Sequence, residues 1–416
     1  MGAVQVTRTA LSTAGSGTQD ITISGFGTPT GAMFICTSAT TNGIATSGVD
    51  TTFSVGFTDG TNSRCMAMSS QDAAVASNTA RMHSNAVIAA PDVGGAIIDL
   101  QFDFNSFITD GVRLTITTPA AEAYLCTVIL FKDTDGLHVN HLSLGTGTAP
   151  IDVTSPGFEP DLVLMTCTGA NTWPTVTQQS LLAIGCSVND GLDTNRYMAH
   201  VLRDDIPTSE VANIVGSSGT TGQLFNDALT WRASIGGYDA NGFSITPNSS
   251  AGSDFVCYIA LKFTDVIGVS LFDVDIPNTG NYVETAPNFL PAFGLIALTT
   301  GATVRDVVAS SGTGGFSLTA FDVNNLYSSC LSEEDANLTM NSSNYANTNL
   351  SALTSAGGVT QVESDGYSLE PTGWDFSLTN SSTTLGWGLA IEEIGTPPVL
   401  YNRPAIAYHR RQFNRG

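Results

Sequence analysis

Three prolines recur at a fixed interval of 131 residues, each behind an aromatic residue and ahead of an apolar run: Phe26-Gly27-Thr28-Pro29, Phe158-Glu159-Pro160 and Phe289-Leu290-Pro291. Later in each interval a turn precedes an alternating stretch: Asp110-Gly111-Val112-Arg113-Leu114, Asn241-Gly242-Phe243-Ser244-Ile245 and Asp365-Gly366-Tyr367-Ser368-Leu369. The first two turns keep the 131-residue spacing; the third falls 124 residues after the second, which reads as drift in the last copy. Self-similarity at a fixed period means one structural unit used repeatedly. An interval this long lets each copy bury a core of its own. The chain therefore divides into repeats at 1–134, 135–265 and 266–396, followed by a basic tail at 397–416.

The repeated unit reads as β structure. Charged residues make up 12% of the chain, about half the usual share. Lys132 and Lys262 are the only lysines, and Thr, Ser, Asn and Gly take the place of the missing charges. Helix surfaces favour Glu and Lys, so this polar surface belongs to strands and turns. Ala32 to Cys36, Leu162 to Met165 and Gly294 to Leu298 are continuous apolar runs, the pattern of a strand buried on both faces. Asp59-Gly60 and Asp190-Gly191, again 131 residues apart, supply the positive φ of tight turns. Each copy closes on an apolar strand: Tyr124 to Phe131, Phe255 to Phe263 and Leu385 to Ala390. The polar, Ala-rich stretch 70–82 suits a helical turn, and the links 134–156 and 265–287 suit first strands of the following copy. About eight short strands per copy, with turns at roughly ten-residue spacing, predict an all-β chain of three tandem antiparallel β-sandwich domains. A jelly-roll-like form is favoured because the first and last strands are the most apolar and would pair centrally.

Composition also excludes functions. A net charge of −23 repels nucleic acid and acidic membrane surfaces, so neither is an expected partner. The seven cysteines form no CxxC or CxxH pair that would indicate zinc. No basic and apolar leader opens the chain, and no apolar run reaches membrane-spanning length. No cofactor is expected, nor is enzymatic activity: no Gly-x-Ser-x-Gly elbow precedes a suitable histidine, and no pair stands out among 37 acids.

Five groups are candidates for specific roles. Cys36 with Cys126 and Cys167 with Cys257 occupy matching places in the first two copies, while the third has Leu298 and no closing-strand cysteine. Their joint absence there predicts two thiol pairs in contact, and cytoplasmic synthesis favours packed thiols over disulfides. His138 and His141 could meet a metal, but in a strand they point to opposite faces. Glu333-Glu334-Asp335 reads as a solvated acidic loop, with calcium as the other reading. Among the four tryptophans, Trp173 beside Pro174 is the exposed candidate for stacking on a sugar. The last fourteen residues hold Arg403, Arg410, Arg411 and Arg415, with Tyr408 and no acid. Arginine suits paired contacts with carboxylates, so this tail is expected to anchor the acidic body to a neighbouring subunit.

The landmarks resemble a repeat of tailed-phage virion proteins, which opens with Gly-Phe-x-Pro-Asp-Leu-Val, carries an Asp-Gly-Phe turn and closes on an aromatic strand. The second copy fits best, with Gly157-Phe158-Glu159-Pro160-Asp161-Leu162-Val163, Asn241-Gly242-Phe243 and Tyr258-Ile259-Ala260-Leu261-Lys262-Phe263. The third lacks the glycine before Phe289 and has Ala292 at the aspartate position. The resemblance spans most of residues 26–393 and implies a structural virion component with no catalytic residue. The expected partners are copies of itself, as a homotrimer, and other virion proteins. The expected location is the virion, assembled in the host cytoplasm, as a capsid decoration or cement protein or a tail or neck appendage. The alternative is a receptor-binding or glycan-binding tail fibre, whose partner is a host surface glycan.

Overall fold

The computed structural model describes residues 3–393 except 48–49, 72–77, 94–96, 192–193, 203–210, 226–227, 250–251, 253, 265, 278–279, 301, 310–312, 335–341, 354–359 and 381–382. Strands begin two residues after each landmark proline, at Gly31, Leu162 and Phe293, so the sequence interval is also the structural one. Proline has no amide to donate and fits the approach to a strand.

In the first unit a large sheet runs Val4–Ala10, Leu125–Phe131, Gly31–Thr37, Thr51–Thr58, Ser63–Ser70, Thr79–Ser84. A small sheet runs Gly17–Thr22, Gly111–Thr118, Ile98–Ile108, Ile88–Pro91. The second unit repeats this order with Thr134–Ser143, Phe255–Phe263, Leu162–Cys167, Ser180–Val188, Thr194–Leu202 and Val211–Gly216, over Ile151–Val153, Gly242–Pro247, Ala228–Asp239 and Thr221–Phe225. The third uses Val266–Ile276, Thr384–Glu393, Phe293–Thr300, Thr313–Asp322, Leu326–Glu334 and Ser342–Asn347, over Tyr282–Glu284, Gly373–Asn380, Thr360–Glu370 and Ser351–Leu353. All pairing between these strands is antiparallel. In each unit the first strand pairs with the last and the second with the penultimate, as in a jelly roll; the strands between them meander. The stretch 70–82 holds no described helix: Thr79 to Met82 belong to a strand, and 72–77 lie outside the described residues.

Each large sheet is buried on both faces, which accounts for the continuous apolar runs. On Gly31–Thr37, Ala32, Phe34 and Cys36 pack toward the small sheet of their own unit. Met33 and Ile35 point the other way, into a core shared with Leu162 and Leu164 of the second unit and Leu295 and Ala297 of the third. Period-2 alternation thus delivers every second side chain to a private core and the rest to a common one.

Loops close the arrangement. The loop after Leu162–Cys167 carries Thr175–Gln178, which adds to the outer edge Thr79–Ser84 of the first unit. The loop after Gly31–Thr37 carries Thr46–Ser47, which adds to the edge Ser342–Asn347 of the third. The loop after Phe293–Thr300 brings Ala309 to Asn213 on the edge of the second, with N–H···O bonds of 2.9 and 2.8 Å. Every unit therefore covers one neighbour's edge and has its own covered, and the chain closes as a ring. Unpaired sheet edges invite aggregation, and each of these loops covers one of the two edges of a large sheet.

The structure corrects one landmark. Asp365-Gly366 is not a turn: it lies inside Thr360–Glu370 at a bulge, where Ser364 pairs Leu378 and Gly366 pairs Ser377. Asn105 and Gly236 are the bulged residues of the corresponding strands. The third turn is made by Gly373, which continues the interval through Gly111 and Gly242 without drift. A Cβ at these three glycines would lie 2.0, 1.8 and 1.9 Å from the carbonyl oxygens of Ile21, Val153 and Glu284. A Cβ at Gly366 would meet nothing within 4 Å. Gly373→Ala is therefore expected to destabilise the chain by about 2 kcal/mol or more through overpacking, and Gly366→Ala by less than about 0.5 kcal/mol. Urea-unfolding midpoints of the two variants check this; equal midpoints would contradict the assignment.

Candidate functional site: the seams of the ring

The chemistry of this chain is concentrated where units meet. At each seam the turn and following strand of one unit face the first strand of the next. Asp59 ends the strand Thr51–Thr58; its Oδ1 accepts from Thr61 N of its own turn at 2.8 Å, and its Oδ2 from Val139 N of the second unit at 2.9 Å. Asp322 repeats the device: Oδ1 accepts from Asn324 N at 2.7 Å, and Oδ2 from Val6 N of the first unit at 2.8 Å. Burial pushes the Asp322 carboxyl up, opposed by these amide donors.

One place on each seam carries a different pair. Arg64, Arg196 and Tyr327 sit opposite Phe57, Cys186 and Ala320, residues of the common core. Arg64 Nε donates to His141 Nδ1 at 2.8 Å and Nη2 to Asn140 Oδ1 at 3.0 Å. Arg196 Nε donates to Asp273 Oδ1 at 2.7 Å. Tyr327 places its ring 4.9 Å from the Arg8 guanidinium, a cation–π contact. Seating the strand of Arg8 against Arg64 would oppose two cations. The three pairs thus favour one order of units, specificity gained by making the wrong partner costly.

Arg8 closes the ring. It donates to Ser328 O at 2.7 Å, Asn347 O at 2.8 Å and Ser329 Oγ at 3.1 Å, all on the third unit, and to Thr127 Oγ1 and Asn42 Oδ1 on its own. Burial pushes its guanidinium down to about 10, which leaves it charged at neutral pH. Between the second and third units, His200 Nδ1 lies 2.7 Å from Asn213 Oδ1 and Nε2 lies 2.7 Å from Glu333 Oε2. Both His200 and Glu333 are fully buried.

Several sequence expectations fall into place against these seams. Cys36 and Cys126 face each other in register, and the neighbouring thiol and burial push the Cys36 pKa well up. Cys167 and Cys257 do not: Cys257 pairs Thr166 and points into the common core, while Cys167 packs in the private core of its unit. The second unit is one residue shorter ahead of its closing strand: Cys167 pairs Val256 as Cys36 pairs Cys126, and Gly242 to Val256 is 14 positions where Gly111 to Cys126 is 15. A one-residue slip turns every side chain to the other face. All seven cysteines are buried and unbridged.

His138 and His141 hold separate partners, Asp59 at 3.9 Å and Arg64, and no metal-binding group of three or more ligands occurs among the described residues. Glu333 is not in a solvated loop but inside a strand at the second seam. Trp173 is not free to take a sugar: its indole stacks on His83 at 4.4 Å and on His141 at 4.3 Å, and its Nε1 donates to Asn85 Oδ1 at 2.9 Å. Trp231, Trp374 and Trp387 are buried in cores. Arg403, Tyr408, Arg410, Arg411 and Arg415 lie outside the described residues.

The signature residues of the second unit have structural roles. Phe158 packs over Gly136, where a Cβ would come within 2.6 Å of the ring. Asp161 Oδ2 accepts from Phe263 N at 2.8 Å and its amide donates to Leu261 O, tying the opening of the unit to its closing strand. Arg8, His200 and Asp322 carry no sequence signal, because their partners on another unit lie 133 to 339 positions away. Comparison of the chain with family models, with curated proteins and with solved structures finds no match.

Proposed function

We propose that this chain is a non-enzymatic structural component of a tailed-phage virion, exposed on the particle as a capsid decoration or as a tail or neck appendage, and acting through protein–protein assembly. The observation that carries the reading is the ring itself: three sandwich units with a common core, covered edges and an order fixed by distinct seam pairs. The motif residues that resemble the phage repeat hold the sandwich unit itself together, as Phe158 and Asp161 do within the second unit. The described tryptophans are all engaged internally, which favours assembly over recognition of a host glycan.

The second faces of the large sheets are covered inside one chain, so the oligomer we propose is built through the tail, not through the sheets. Many basic side chains of the body are already held by its own groups: Arg8, Arg64, Arg113, Arg196 and Arg305 all have partners within the ring. The outward charge is correspondingly acidic, and the arginines at 403, 410, 411 and 415 are complementary to it.

Immunogold electron microscopy with antibodies to the recombinant chain tests the reading. Gold on the outside of intact particles is expected; labelling confined to unassembled material would overturn it. Analytical ultracentrifugation of the full chain and of one ending at Pro398 tests the role of the tail. An oligomer that falls to monomer on truncation is expected, and a trimer in both samples would refute assembly through the tail.

A further inference from the structure

Among the described residues all four histidines lie at seams, and three of them, His83, His138 and His141, share the seam between the first and second units. His83 is fully buried on the edge strand Thr79–Ser84, stacked on Trp173 and edge-on to Phe255 at 5.9 Å. No side chain hydrogen-bonds either nitrogen of its ring, and the polar group it approaches is the Ala170 backbone. His141 stacks on the same indole and accepts from Arg64 Nε through Nδ1. The Trp173 loop leads directly into Thr175–Gln178, the segment that covers the edge of the first unit.

We propose that this seam is an acid-operated release: charging His83 and His141 displaces the Trp173 loop, unpairs Thr175–Gln178 from Thr79–Ser84 and opens the ring on one side. A proton on His141 Nδ1 would set donor against donor and cation beside cation at Arg64. A proton on His83 would place a charge in an aromatic stack beside Arg81 of the same strand. The charged groups facing the stack are Arg64 from Ser63–Ser70 and Arg81 from Thr79–Ser84, with Asp59 next to His138 and Asp254 toward Arg81. No carboxylate pairs with His83 or His141 among the described residues. Asp59 favours a charged His138, but burial outweighs it.

The direction of the electrostatics agrees with the geometry. Burial, with His141 and Arg81 nearby, pushes His83 down to about 4, and burial with Arg64 pushes His141 down as well. Such groups are neutral in the closed seam and charge more readily once released. Their contribution to closure is complete above the ordinary histidine pKa of about 6.5 and is lost as pH falls toward the folded value. With a closed pKa of about 4, His83 alone shifts the opening equilibrium about thirtyfold toward the open state at pH 5.

Hydrogen exchange of the intact chain at pH 7 and pH 5, corrected for intrinsic rates, tests this, with far-UV circular dichroism as the control for global unfolding. The wild type should lose protection at Val176–Gln178 by about thirtyfold or more at pH 5 with its strand signal unchanged. His83→Phe/His141→Gln keeps an aromatic under the indole and an acceptor for Arg64, and should hold its protection at both pH values. His141→Gln alone, the milder change, should show a smaller loss than the wild type. Equal protection of the wild type at both pH values, an equal loss in the variants, or loss only together with the far-UV signal would each overturn the proposal.

Discussion

Glu333→Ala is expected to lower the unfolding free energy by about 3–5 kcal/mol, because removing one member of a buried pair leaves the other without its partner. His200 Nε2 loses its partner at 2.7 Å, in a site fully shut off from water. Part of the cost should vanish in His200→Met/Glu333→Leu, the remainder coming from buried Asn213, whose Oδ1 loses its contact with His200 Nδ1. Replacing both members of a buried pair by apolar residues of similar volume is often neutral or stabilising. The first unit supplies the precedent: Met68 faces Phe53 there as His200 faces Leu182 in the second. A denaturant-unfolding double-mutant cycle measures this directly. If the double variant is as unstable as Glu333→Ala, the pair is not the reason for the loss.

Arg8→Met should cost about 3 kcal/mol, the scale of several hydrogen bonds from a charged donor whose carbonyl partners are then left unsatisfied. The loss should not be spread evenly. Arg8 joins the first strand of the chain to Ser328, Ser329 and Asn347 of the third unit, the seam that no connecting peptide spans. The other two seams lie between units consecutive in sequence and keep that covalent link. Calorimetry of the variant should therefore resolve an early transition for the third unit, whereas the wild type should unfold more cooperatively. A single transition merely shifted to lower temperature would show that closure does not depend on Arg8.

Gly373 shows how a correct period can hide behind a misleading motif. Asp365-Gly366 has the composition of a turn, yet it sits at a bulge, and the residue that must be glycine is the one the backbone of Glu284 approaches. The regular spacing of Gly111, Gly242 and Gly373 was present in the chain all along. Cys126 and Cys257 show the converse, an equal spacing with no equivalence, because one residue fewer ahead of the second closing strand reverses its faces. Trp173 was legible as a loop tryptophan but not as a seam residue: its stacking partners His83 and His141 belong to strands of two different units.

What the amino-acid order determined by itself was local and periodic: strands in place of helices, turns at Asp59-Gly60 and Asp110-Gly111, strand starts at Gly31, Leu162 and Phe293, and large sheets with no wet face. Those follow from steric preferences and from period-2 burial, which act over a few residues. Tertiary structure alone decided what covers the second face. Burial demands an apolar neighbour without naming it, so the same pattern serves three copies of a chain or three units of one. The choice rests on contacts such as Arg8 with Ser328, Glu333 with His200 and Ala309 with Asn213, which form only when distant segments have already been brought together.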